Sequence, residues 1–230
     1  MSSEHSSVHY QKKALPLSLV RRLAREQHEH IVERFLHAFP PSPTLKVLDL
    51  GVNGAQADPA LHPLEARWPY HANLIACGLE SDEVFRAAWP DVRYLRVTRG
   101  APLPFSDGEF DVVYSNAVIE HVGDRRAQRA FLDEILRVGK AAFVTTPNRW
   151  YPVELHTVLP LLHWLPAELY RRVYRALGFT FFSQEENLNL LDADALRALV
   201  PPGVSFRIET HRFLGLPSNL LLIAEARPDR

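Results

Sequence analysis

Between Leu45 and Thr145 the chain alternates short β-rich runs with amphipathic stretches, and this order constrains its architecture more than any other feature. The runs are Leu45 to Gly51, Asn73 to Leu79, Val92 to Thr98, Phe110 to Ser115 and Ala141 to Thr145. The first ends in glycine, as a buried parallel strand does on entering a tight turn. Between the last two, Ala127 to Val138 carries Phe131, Leu132, Ile135 and Leu136 on one side, the pattern of an amphipathic helix. Such β, α, β repetition predicts a parallel sheet with helices on both faces, and ligands at the carboxyl ends of its strands.

The flanks complete an α/β, doubly wound, mostly parallel fold. Residues 1 to 9 are Ser-rich and His-rich and read as a frayed tail. From Leu15 to Phe39, Leu19, Leu23, Ile31, Phe35 and Leu36 recur at helical spacing until Pro40-Pro41 stops them, predicting one or two helices. Val204 to Thr210 and Asn219 to Ala226 form a β-rich pair around Gly215 and Pro217, so an antiparallel closing strand is expected. The stretch from Pro147 to Gly203 is too long for a bare connection and predicts a helical cap, with Asp192 or Asp194 capping a helix that ends near Val200. The expected organisation is a helical segment over 1–40, a ligand-binding core over 41–148, a cap over 149–203 and closing strands over 204–230.

Composition narrows the function. A formal net charge of -1 gives no field that would draw the chain onto nucleic acid or an anionic membrane. No apolar run reaches the roughly 18 residues of a membrane span, and the polar start lacks a signal peptide's apolar stretch. Cys77 is the sole cysteine, which excludes an internal disulfide and fits a cytoplasmic protein. The expected partner is a small molecule; the oligomeric state stays open.

Two segments carry a family likeness. VLDLGVNG, Val47 to Gly54, places an acid and glycines at the end of the first strand. LPFSDGEFDVVYSNAVIEHV, Leu103 to Val122, is followed by FLDEILRVGKAAFVTTPN, Phe131 to Asn148. In order and spacing they resemble the class I S-adenosylmethionine-dependent methyltransferases, in particular the methyltransferase type 11 family, whose Rossmann-like fold the resemblance implies. It implies S-adenosyl-L-methionine as cofactor, with Asp49, Gly51, Asn53 and Gly54 at the amino acid end. Glu80 stands where the family carries an acid that accepts hydrogen bonds from both ribose hydroxyls. Thr98, Arg99 and Asn116 complete the implied cofactor site. Three positions depart from the pattern: Asn53 and Ala55 stand where the family has glycines, and Arg99 replaces an aspartate that contacts the adenine amino group.

For chemistry, His121 is the first choice of base, since imidazole titrates near neutrality; the Glu120-His121 pair equally suits fixing the loop through hydrogen bonds. Methyl transfer depends chiefly on aligning nucleophile, methyl and sulfur, so no triad is required. Tyr151, His156 and His163, among the aromatic residues of the cap, are the candidate acceptor-binding residues, or else part of the cap's own core. Pro160 interrupts the run between His156 and His163, and no metal site is expected. The leading expectation is an enzyme that methylates an oxygen, nitrogen or carbon of a small organic acceptor, apolar, lipid-like or from a secondary-metabolite pathway. The alternative is a non-catalytic binding or scaffold protein that keeps the fold. A nicotinamide-dependent oxidoreductase lacks its G-x-G-x-x-G turn here.

Overall fold

Val47–Leu50 (β1) and Ala141–Pro147 (β5) are buried at every position, as strands must be when both faces of their sheet are covered. The computed structural model describes residues 17–59 and 61–226, with side chains from Arg25 onward. The tail at residues 1 to 9 lies outside the described residues. One helix, α1 (Leu17–Ala38), precedes the sheet. After β1 come α2 (Pro63–Arg67), β2 (Leu74–Gly78), α3 (Glu83–Ala88), β3 (Arg93–Arg96), β4 (Val112–Asn116) and α4 (Arg125–Val138). After β5 come α5 (Ala167–Ala176), α6 (Ala193–Leu199), β6 (Ser205–Phe213) and β7 (Leu216–Glu225).

The strands form one sheet in the order β3-β2-β1-β4-β5-β7-β6. The first five are mutually parallel, while β7 runs antiparallel between β5 and β6. The carboxyl ends of β1 to β5 therefore share one edge, and the chain's direction of travel reverses between β1 and β4, the position at which open α/β sheets bind ligands.

Alternation along the strands sorts side chains into two cores. Leu48, Val113, Ala142 and Val144 face α4 and α6, where Leu132, Ile135, Leu196 and Leu199 meet them. Val47, Val112, Tyr114 and Phe143 face α1 and α2, against Ile31, Phe35, Leu64 and Trp68. Phe35 meets the Tyr114 and Phe143 rings edge-on at centroid distances of 4.9 and 5.4 Å. A third cluster, Tyr170, Tyr174, Phe182, Leu188 and Leu190, belongs to the stretch after β5. Asp192 caps α6 by accepting from the Ala195 amide at 2.9 Å.

Most strand ends differ from the sequence reading by one to three residues, and two of them have a clear cause in the pairing. β4 begins at Val112 because Phe110 makes only an isolated bridge to Gly139. β5 runs on to Pro147 because β7 continues to pair with it, Pro147 opposite Asn219.

Candidate active site

The first half of the carboxyl edge is a backbone structure. After β1 the Gly51 and Val52 amides both donate to the Cys77 carbonyl, at 2.8 and 2.9 Å, which bends the chain sharply over β2. Gly51 has φ +106°, and a Cβ there would lie 2.2 Å from the Val118 side chain. A Cβ on Gly54 would lie 2.5 Å from the Ser81 carbonyl, and one on Gly78 2.0 Å from that of Val52. These two glycines thus let the loops after β1 and β2 press together, with the Tyr94 phenol between them, bonded to the Val52 and Glu80 carbonyls at 3.5 and 3.4 Å. Asn53, in a glycine position of the resembled family, folds its side-chain oxygen back to the Ala55 amide at 3.1 Å.

Around this turn the expected cofactor residues separate. Glu80 is half-buried just past β2, and among the described residues its carboxylate has no hydrogen bond or ion pair, which leaves both oxygens free for a diol. Thr98 and Arg99 are exposed after β3; Arg99 reaches across to donate to the Glu186 carbonyl at 3.3 Å. Asn116 ends β4, its side-chain oxygen accepting from the Thr145 hydroxyl at 2.5 Å.

Asp49 points elsewhere. It is buried on the α2 side beside Glu65, level with Tyr114 on β4. Burial, with the neighbouring Glu65 charge, pushes the Asp49 carboxyl well above its usual range, and burial raises Glu65 to about 7. Both Glu65 oxygens lack any other partner, so the two carboxyls are compatible only when a proton lies between them.

The second half of the edge is made of buried side chains. Ala117, at φ 55°, turns the chain out of β4, and a 3-10 turn over Ile119–His121 follows. Glu120 is fully buried; one carboxylate oxygen accepts from the Thr146 hydroxyl at 3.0 Å and the other has no partner. His121 Nδ1 donates to the Asn187 carbonyl at 2.6 Å. Its Nε2 faces His156 Nε2 at 3.0 Å, and His156 Nδ1 donates to Glu154 at 2.6 Å. Burial together with the His156 charge lowers the His121 imidazole to about 4. Burial opposes the charge of Glu154 but does not overcome the His156 contact, and its carboxyl falls to about 2. His156 moves upward for the reciprocal reason, Glu154 outweighing burial.

Of the candidate acceptor residues, His156 alone joins this cluster. His163 is buried and bonds the Tyr151 carbonyl at 2.8 Å, so it and Tyr151 stabilise the segment internally. Pro160 lies between the two histidines, and Val158, at φ 58°, closes the tight turn that presents His156. Glu154, Thr146 and Asn187 are site residues that pattern reading missed. The acid two positions before His156 was the available signal, but nothing local ties it to Glu120 and His121.

Residues 48–142 match the model of a family described as a methyltransferase domain. The stretch from β1 to the start of β5 is thus similar to methyltransferase domains. No curated protein matches the chain by sequence. Among solved structures, it is similar to magnesium protoporphyrin IX methyltransferase from Synechocystis PCC 6803, solved with bound S-adenosylhomocysteine. The two share 15% identity over 95% of this chain and 91% of that one, with a TM-score of 0.58. A possible histamine N-methyltransferase from Thermotoga maritima gives 17% identity, coverages of 91% and 92%, and a TM-score of 0.55. A putative Zn-dependent alcohol dehydrogenase from Rhodobacter sphaeroides scores 0.58 at 14% identity, covering 85% of this chain and 88% of that one. At such identities the likeness describes the fold; the methyltransferase assignment rests on the family match together with the strand order. No helix among the described residues is long and apolar enough to cross a membrane.

Proposed function

We propose that this methyltransferase domain moves the methyl group of S-adenosylmethionine to an oxygen, nitrogen or carbon of a small organic acceptor, at the carboxyl edge between β1 and β4. The observation that carries the reading is Glu80: a carboxylate left without a protein partner beside the Gly51 turn, where a ribose diol needs a two-fold acceptor. The cofactor brings an already activated sulfonium methyl, so the chain's task is alignment. Gly51 to Gly54 brings backbone close to the ligand, Glu80 holds the ribose, Asn116 fixes the end of β4, and Thr98 and Arg99 border the base.

Arg99 cannot accept a hydrogen bond from adenine; its planar guanidinium instead spans from the loop after β3 to the Glu186 carbonyl and closes that side of the cleft. His121, expected as the base, has both ring nitrogens engaged, Nδ1 by Asn187 and Nε2 by His156. A proton given up by a hydroxyl or amine acceptor therefore does not pass to His121 alone, whose Nε2 already faces His156. Tyr151 and His163 support the wall that carries His156.

Incubation with isotope-labelled S-adenosylmethionine and a panel of small phenols, amines and carboxylic acids tests the proposal. Label recovered in an acceptor, and lost in Glu80→Ala, supports it. Tight cofactor binding without transfer to any acceptor class would favour the non-catalytic alternative.

A further inference from the structure

The two imidazoles at the carboxyl edge pose an electrostatic problem. The Asn187 carbonyl can only accept, so His121 carries its proton on Nδ1; the Glu154 carboxylate fixes the same tautomer in His156. Both Nε2 lone pairs then point at each other across 3.0 Å. The unpartnered oxygen of Glu120 lies 3.9 Å from His121 Nε2, and the three donor atoms all fall within 4.8 Å of one another. Three donor atoms gathered this closely suit a shared cation. A single proton bridges two of them and leaves the buried Glu120 oxygen unsatisfied; a metal ion serves all three.

We propose that Glu120, His121 and His156 are the ligands of a divalent transition metal ion of zinc's class, held with a fourth coordination position open. The donor set, two imidazole nitrogens and one carboxylate oxygen, is one that zinc takes with an open site. Zinc–nitrogen bonds of about 2.0–2.1 Å at a tetrahedral angle place two nitrogens about 3.3 Å apart. The observed 3.0 Å is reached by a shift of a few tenths of an ångström.

The supporting shell is already built. His121 Nδ1 donates to Asn187, His156 Nδ1 to Glu154, and the second Glu120 oxygen accepts from Thr146, so every ligand is oriented through its other polar atom. Glu154 is itself held by the Thr157 amide and hydroxyl, both at 2.7 Å. Glu120 and Glu154 are both buried carboxyl groups, and a divalent ion balances the charge they carry when ionised. His121 keeps 28% of its side chain exposed, giving the ion a path inward. The strained turn at Val158 presents His156, consistent with strain being retained where a side chain must be aimed. A metal here joins the loop after β4 to the segment after β5, in place of the proton that the pair would otherwise hold.

The test uses the full chain, stripped with a chelator and dialysed, without cofactor or acceptor. Zinc chloride titration with a competing fluorescent chelator should give one zinc per chain, and cobalt(II) loading should give the intense visible absorption of a tetrahedral site. His156→Asn and Glu120→Gln should lower zinc affinity at least about 100-fold, and Glu154→Gln about 10- to 100-fold through its orienting bond. Thermal melting with and without zinc controls for folding: each variant should melt cooperatively, with the zinc-dependent rise of the parent chain abolished in His156→Asn. No stoichiometric zinc binding by the parent chain, or equal binding by a folded His156→Asn, overturns the proposal. Because Glu80→Ala should keep the zinc while binding S-adenosylmethionine more weakly, failure of either reading shows separately from failure of the other.

Discussion

The two halves of the carboxyl edge are built on opposite principles. From β1 to β3 the loops are shaped by backbone: Gly51, Gly54 and Gly78 allow contacts that no Cβ would permit, and the Tyr94 side chain acts as a wedge between them. From β4 onward the edge is shaped by ionisable side chains brought together from distant parts of the chain, Glu120 and His121 with Glu154 and His156. A backbone-shaped edge is rigid and indifferent to pH. A charge-shaped edge depends on what occupies it.

The largest effect that would sharpen this contrast is expected at Glu154. Glu154→Ala removes the partner of a buried histidine and the acceptor of the Thr157 amide and hydroxyl, and should cost about 3–5 kcal/mol in chemical denaturation. A loss under 1 kcal/mol would mean that charge does not hold this half together. Next comes Gly78→Ala, in the backbone half: its Cβ would overlap the Val52 carbonyl, and a loss of about 3 kcal/mol is expected, without any change in pH dependence.

The Asp49 and Glu65 pair lies beneath the backbone half and gives a smaller, pH-dependent effect. Both carboxyls are raised by burial, so the folded chain keeps protons that the unfolded chain sheds. Their contribution is fully present below the ordinary carboxyl range and is lost as pH rises toward 7. Melting temperature measured across that interval should therefore fall less steeply in Glu65→Gln than in the parent chain; an unchanged slope would show that the pair is not protonated. The smallest effect is expected at Val158→Gly, where releasing a β-branched residue from φ 58° should stabilise the chain by about 1 kcal/mol. A destabilisation would mean that the Val158 side chain contributes packing which outweighs its strain.

The same contrast explains what could be read without coordinates. Strand periodicity and glycine placement are local, so the sheet, the turn after β1 and the Asp192 cap follow directly from neighbouring residues. Phe110 to Val122 was informative because one short segment contains a whole strand and its exit. The Glu120 cluster was not legible: Glu120 and His121 stand together, but His156 comes from a turn 35 positions later. Asp49 shows what position alone leaves open: its place before the glycine turn suggested a ligand contact, and strand alternation sets it beside Glu65, on the face of the sheet shared with Tyr114.

Calorimetric titration of the full chain with S-adenosylhomocysteine, beside Glu80→Ala and Gly78→Ala, tests the central claim most directly. The account predicts one binding site in the parent chain, affinity reduced about 10- to 100-fold in Glu80→Ala through loss of the two ribose hydrogen bonds, and unchanged melting of that variant. No heat of binding at millimolar ligand, or an affinity indifferent to Glu80→Ala, would contradict it.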